Sequence, residues 1–216
     1  MKRGVLLCVA VALTFPACGS DGSGSAATLS PRPAAISVDD IPKAALSLED
    51  MGSGWSRFDV QAVEGCTKLG GKICVEDVPG RVSTKTEVGY RQAGTQGGFV
   101  ANTILLMAVE EDARKAVDAF RTAALTKRWS QSFSTSNATY ELSTIPFDRL
   151  ADETLAYRIL STATDRQSDR AASRHIDYIV FRSGRVLSFL NVIQANTAPI
   201  ARRSAAKVEA LVSGEL

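Results

Sequence analysis

A chain of 216 residues with 45% hydrophobic, 6% aromatic and 22% charged residues has the composition of a packed globular protein, which excludes collagen-like, coiled-coil and wholly disordered classes. Its length suits one domain or two small ones. A formal charge of +2 from 25 basic and 23 acidic residues leaves no basic excess for nucleic acid, and a single histidine thins out most metal and acid–base chemistry.

Met1-Lys2-Arg3 is a cationic head, and the apolar run Gly4–Phe15 follows it. As a helix that run reaches about 18 Å, short of a hydrocarbon core of about 30 Å. It predicts an export leader over residues 1–17 rather than a membrane span. Loss of Lys2 and Arg3, with no acid before Asp21, leaves the mature chain with equal numbers of basic and acidic residues. Pro16-Ala17-Cys18 closes the run, and Gly19-Ser-Asp-Gly-Ser-Gly-Ser25 continues. A cysteine behind a small residue and a short apolar run resembles the lipobox of bacterial lipoproteins. The resemblance implies that the Cys18 thiol receives a diacylglyceryl group and that Cys18 becomes the first mature residue. Phe15 and Pro16 depart from the residues usual before that cysteine, and ordinary signal-peptidase cleavage, leaving Cys18 as a thiol, is the alternative. Two palmitate-type chains meet the requirement for stable anchoring, which one chain does not. Residues 18–37, dominated by Gly, Ser, Ala and Pro, bury too little to fold and form a linker of roughly 25 Å mean span.

Cys66 and Cys74 bracket Thr67–Ile73, with a turn signal at Gly70-Gly71. An odd-numbered loop around Gly70 sets the two cysteines opposite each other on paired strands. In an oxidising compartment they are expected as a disulfide worth about 2–3 kcal/mol. A zinc site needs further ligands that His175 alone does not supply. A redox pair has two residues between its cysteines, and here there are seven.

Ser47-Leu-Glu-Asp-Met51 predicts one helical turn with Ser47 as cap, stopped by Gly52 and Gly54. Arg57–Val63 reads as a short strand after Trp55, which is expected in the core. Ser83–Gln92 alternates as a half-buried strand, and Phe99–Val109 is a nearly continuous apolar one. Glu110–Arg128 is the clearest helix. Ala113, Ala116, Val117, Phe120, Ala123 and Ala124 form its stripe, with acids at the start and Lys127-Arg128 at the end. Strands follow at Thr139–Ser143, Thr154–Ala163, Arg174–Arg182 and Arg185–Gln194. A helix from Ala198 to Val212, capped by Thr197 and with Pro199 in its first turn, ends the chain.

Ser183-Gly184 is expected as a two-residue hairpin turn pairing Val180 with Leu187 and Tyr178 with Phe189. Ile179, Phe181, Leu190 and Val192 share the opposite face with Asp177 and Ser188. Apolar side chains on both faces mean cover on both faces, or a greasy surface left for a partner. Ile179, Phe181 and Leu190, with Trp129 at the end of the long helix, are the candidate ligand or partner surface. The fold class is α+β: one domain over 38–216, a mainly antiparallel sheet packed by two helices, since helices do not alternate with strands as a doubly wound sheet requires.

The lipobox-like leader, the Ser/Gly linker, the "LSLEDMGSGW" opening, the helix after a long apolar strand and the closing "DYIVFRSGRVLSFLNVI" hairpin together resemble actinobacterial (mycobacterial-type) lipoproteins. Their sensor-like domains belong with the PknH-like extracellular domain family. The resemblance implies an extracytoplasmic binding or sensing module with a cleft, and it brings no catalytic residues. Members often carry a cysteine at the end of the first long helix, where this chain has Trp129.

Little else carries chemistry. Gly65–Lys72 approaches a phosphate loop, but Lys72 precedes Ile73 where that motif has Ser or Thr. His175 and Asp177 share a strand face, which fits a surface ion pair better than a catalytic triad. The reading is therefore a non-enzymatic, lipid-anchored envelope protein on the outer face of the cell membrane. Its expected partners are the bilayer and an unidentified envelope ligand or membrane protein, with no cofactor, no metal and no nucleic acid. A lipid or glycolipid carrier with a cavity floored by the hairpin stays open as an alternative, and so does a cell-wall hydrolase using paired carboxylates. Non-reducing peptide mapping of the exported chain should recover Cys66 linked to Cys74; free thiols at both positions would refute the cross-link.

Overall fold

The computed structural model describes residues 35–60, 68–70, 73–74, 78–94, 98–125, 138–164 and 171–216. A 3-10 turn at Val38–Asp40 leads into two single-turn helices, α1 (Ile41–Ala44) and α2 (Leu48–Met51). Ser47 caps α2 as expected, and the cap is reciprocal. The Asp50 amide donates to the Ser47 hydroxyl while the Ser47 amide donates to the Asp50 carboxylate at 2.6 Å.

Strands β1 (Trp55–Phe58), β4 (Val82–Gln92), β5 (Phe99–Met107), β6 (Ala138–Thr144), β7 (Glu153–Thr164), β8 (Ala171–Ser183) and β9 (Val186–Ile193) form one sheet in the order β1-β4-β5-β9-β8-β7-β6. Every neighbouring pair is antiparallel. Between β1 and β4, the short strands β2 (Lys68–Gly70) and β3 (Ile73–Cys74) pair with each other. The expected strand at 57–63 is thus shorter and begins earlier. At the far end of the sheet β6 runs for seven residues with no register shift, and among the described residues it pairs with β7 alone.

Helix α3 (Glu110–Leu125) follows β5 and lies on one face; α4 (Thr197–Ser213) follows β9 and lies on the other. The α+β class expected from the sequence is the class observed, in three layers. Phe120 and Val117 of α3 pack with Leu105, Val180, Leu187 and Phe189. Ile200, Val208 and Leu211 of α4, joined by Ile41, Leu46 and Met51, pack with Ile104, Ile179, Phe181, Leu190 and Val192. The stripe predicted on α3 is the buried one.

The β8–β9 turn is displaced by one residue from the sequence expectation. Gly184 and Arg185 make it, with Ser183 opposite Val186 and Arg182 opposite Leu187. Gly184, at φ +54°, takes the first turn position, where a two-residue hairpin favours glycine. A turn at 183–184 would have set Arg182 directly against Arg185, a like-charge pair that the observed register avoids. Val180 accordingly faces Phe189, and Tyr178 faces Asn191. Because the pairing slips by two positions, every side chain keeps its predicted face.

A chain of polar groups crosses the α4-side core. Asn102, fully buried on β5, accepts from the Leu46 amide at 3.0 Å and donates to the Ser188 hydroxyl at 3.1 Å. Ser188 in turn meets Ser204 of α4 at 3.1 Å, and the Tyr90 hydroxyl donates to the Leu46 carbonyl at 2.6 Å. These bonds fasten the α1–α2 segment and α4 to the middle of the sheet. Asn102→Leu leaves the Leu46 amide and the Ser188 hydroxyl without that partner, and the unfolding free energy should fall by about 2–3 kcal/mol. Lys43→Ala, which removes an exposed ion pair with Asp40, should cost less than about 0.5 kcal/mol. Urea unfolding of both variants measures the difference, and equal losses would contradict this account of the core.

Candidate functional site

Placement of the expected site residues separates into three outcomes. Ile179 and Phe181 are fully buried and Leu190 is 1% exposed, all beneath α4, so they are core rather than a docking surface. The physical reason is that α4 covers the face which the sequence left open between cover and exposure. The cavity that a carrier was expected to have above this hairpin is occupied by packed side chains of both layers. Cys18, Cys66 and Trp129 lie outside the described residues. Cys74 ends β3 opposite Lys68, not opposite the residue the expected register gave it. Trp55 is half-buried against the α4-side core.

Asp177 sits on β8 under the start of α4 at 1% exposure. Its two carboxylate oxygens receive Arg158 Nε at 2.7 Å and Nη2 at 2.9 Å, and Thr197 adds a hydroxyl bond at 2.6 Å. Thr197 thus anchors the first turn of α4 to the sheet rather than capping it; Asn196 is the cap residue and makes no side-chain cap bond. Burial opposes ionisation of Asp177, but the Arg158 fork, the Thr197 hydroxyl and the nearby His175 outweigh it and hold the carboxyl below its usual range. With both oxygens taken, Asp177 does not orient His175 as a triad requires, and among the described residues no hydrogen bond joins the two.

A second ionic cluster closes the opposite face. Arg182, 5% exposed, donates to Glu153 at 2.9 Å and to Glu110 and Asp152 at 3.2 Å each, and its guanidinium also donates to the Gly184 carbonyl. Asp152 accepts from the Gly184 amide at 2.8 Å. The three carboxylates converge on Arg182, while Glu110 also pairs with Arg114 and Glu153 with Arg121, and together they tie the start of α3, the start of β7 and the hairpin turn. The pattern rules missed Arg182 and Arg158 because long basic side chains in alternating strands read as solvent-facing. The signal that was present is parity: each falls in step with apolar neighbours of its own strand.

Among the described residues, grooves open towards both ends of the sheet. One, of about 800 Å3, runs along the β6 edge, between Leu125 of α3, Tyr140 and Leu142, and Leu160 and His175. Glu141 is the single carboxylate in its lining among the described residues. The other, of about 550 Å3, lies beside β4, walled by Pro42, Ala45, Leu46 and Leu48 on one side and Thr86, Val88 and Tyr90 on the other. Lys43, Arg57 and Lys207 converge on it, and among the described residues its lining holds no carboxylate. Burial, partly offset by Arg57, pushes the Tyr90 hydroxyl up. Asp50, bonded to Ser47 and Lys207 of the lining, is opposed by burial but drawn below its usual range by those two residues.

No family model and no curated protein matches the chain. Among solved structures it is similar to the extracellular domain of PknH from Mycobacterium tuberculosis, with a TM-score of 0.52 at 11% identity over 85% of this chain and 99% of that one. The likeness is one of fold. No helix among the described residues is long and apolar enough to cross a membrane.

Asp177→Asn should destabilise the domain at neutral pH by about 2–3 kcal/mol, less than the 3–5 of a wholly buried pair because Arg158 is 43% exposed. The sign follows from the lowered carboxyl. Its contribution is complete above the unfolded value near pH 4 and fades as pH falls through the lower folded value. Thermal unfolding from pH 7 to pH 2 should show the native chain losing stability in that acid range and the variant losing less. Parallel curves would show that Asp177 contributes nothing to the acid response.

Proposed function

We propose that the chain is an exported, lipid-anchored cell-envelope protein whose domain over 38–216 is a non-enzymatic binding or sensor-like module on the outer face of the membrane. Cys18 carries the lipid, residues 19–37 are the tether, and the folded part stands just off the bilayer. The observation that carries this reading is the fold: nearly the whole of an extracellular domain is matched by 85% of this chain, behind a leader whose cationic head and short apolar run have the form of an export signal. The site geometry supports a binding role, because the strongest ionic groups, Asp177 with Arg158 and Arg182 with its three acids, are consumed in fastening helices to the sheet. The open grooves are lined mainly by apolar and basic side chains.

Cys18→Ala, made in a bacterial host that processes lipoproteins, should move the chain from the membrane fraction to the soluble extracytoplasmic fraction. The thermal midpoint of the domain should not change, since anchor and core are separate. A variant that still sediments with membranes would overturn the tether. Native chain recovered from the cytosol with Met1 in place would overturn export itself.

A further inference from the structure

We propose that the groove beside β4 binds a single-chain anionic amphiphile, its carboxylate held by Arg57 and its chain laid against Leu46, Leu48 and Val88. The proposal rests on the binding-module reading and names its ligand class. A volume of about 550 Å3 lies within the range of small-molecule sites. The walls are apolar, and Leu48 of α2 keeps 45% of its surface exposed there.

Charge decides the class of occupant. Three cationic side chains reach the groove, and two are already engaged. Lys43 pairs with Asp40 at 2.7 Å, and Lys207 bridges Asp50 at 3.0 Å and the Ala45 carbonyl at 3.2 Å. Asp50 is further occupied by the Ser47 amide and hydroxyl. The side chain of Arg57, on β1 opposite Tyr90, has neither an ion pair nor a hydrogen bond among the described residues. Among the described residues no acid lines the groove. The site thus offers a planar fork of N–H donors, suited to a carboxylate, at the edge of an apolar trough.

The trough is formed before any ligand arrives. Its α1–α2 wall is held by the Leu46 amide on Asn102, by the Tyr90 hydroxyl on the Leu46 carbonyl and by the reciprocal Ser47–Asp50 cap. A ligand therefore meets walls that need little ordering, which spares affinity. The carboxylate end faces the Arg57 side, and the chain follows Leu46 and Leu48 towards α1.

The test uses the full chain carrying Cys18→Ala, purified without detergent, and titrates it with cis-parinaric acid, a fluorescent long-chain carboxylate. Saturable binding is expected, weakened about tenfold by Arg57→Gln and lost in Leu48→Asp, with near-UV circular dichroism unchanged in both. The methyl ester should bind about tenfold less tightly than the acid, because it has lost the charge that Arg57 meets. Lys115→Gln, on the exposed side of α3 across the sheet, should bind as the parent does. Absence of saturable binding by the folded chain, equal binding of acid and ester, or binding unaffected by Arg57→Gln would each overturn the proposal. Any of those results from chain recovered outside the cytosol leaves the exported binding module standing. Retention of the unprocessed chain in the cytosol removes that module whatever the groove binds.

Discussion

Strands β5, β8 and β9 carry apolar side chains on both faces, and water has to be kept from both. That constraint organises the rest of the molecule. An antiparallel sheet with one wet face alternates apolar and polar residues, but the buried run from Val100 to Met107 on β5 does not. Cover on each side is obligatory, and the chain supplies it with one long helix per face plus the small α1–α2 cover. At about 25 cal/mol per Å2 of apolar surface removed from water, the helix stripes are the dominant favourable contribution to the fold.

Polar groups inside such a sheet are tolerated where each has a partner, and here they hold the layers in register with one another. Apolar contacts alone are permissive about sliding. Asn102 meets both the α1–α2 segment and, through Ser188, helix α4. Asp177 fixes where α4 begins, and Arg182 fixes where the hairpin turns. Each of these contacts demands one position of a helix or turn relative to the strands. Wherever the hydrophobic surface would accept several arrangements, a directional bond selects one.

Much of this was legible from the residues. The stripe on α3, the Ser47 cap, the antiparallel order of elements and the face of every hairpin side chain follow from periods of 3.6 and 2. What escaped was decided between elements distant in sequence. The hairpin turn sits one residue later, where Gly184 leads it and Arg182 is set beside Glu110, Asp152 and Glu153, all distant in sequence. Ile179, Phe181 and Leu190 are core because α4 returns over them, and periodicity does not say which face a terminal helix will choose. The β4 groove had no signal at all: Lys43, Arg57 and Lys207 come from three separate elements, and only the pairing of β1 with β4 brings Arg57 beside Tyr90.

Strand β6 has a consequence for handling the protein. Among the described residues it ends the sheet, with seven regular residues whose one charge is Glu141 and which contain no proline, lysine or bulge, devices by which natural edges repel a second strand. Backbone groups on its outer side are a template for another extended segment, and Leu125 and Leu160 stand nearby at 73% and 38% exposure. Self-association of concentrated samples along this border is the expected consequence, and a lysine in place of Ser143 would discourage it.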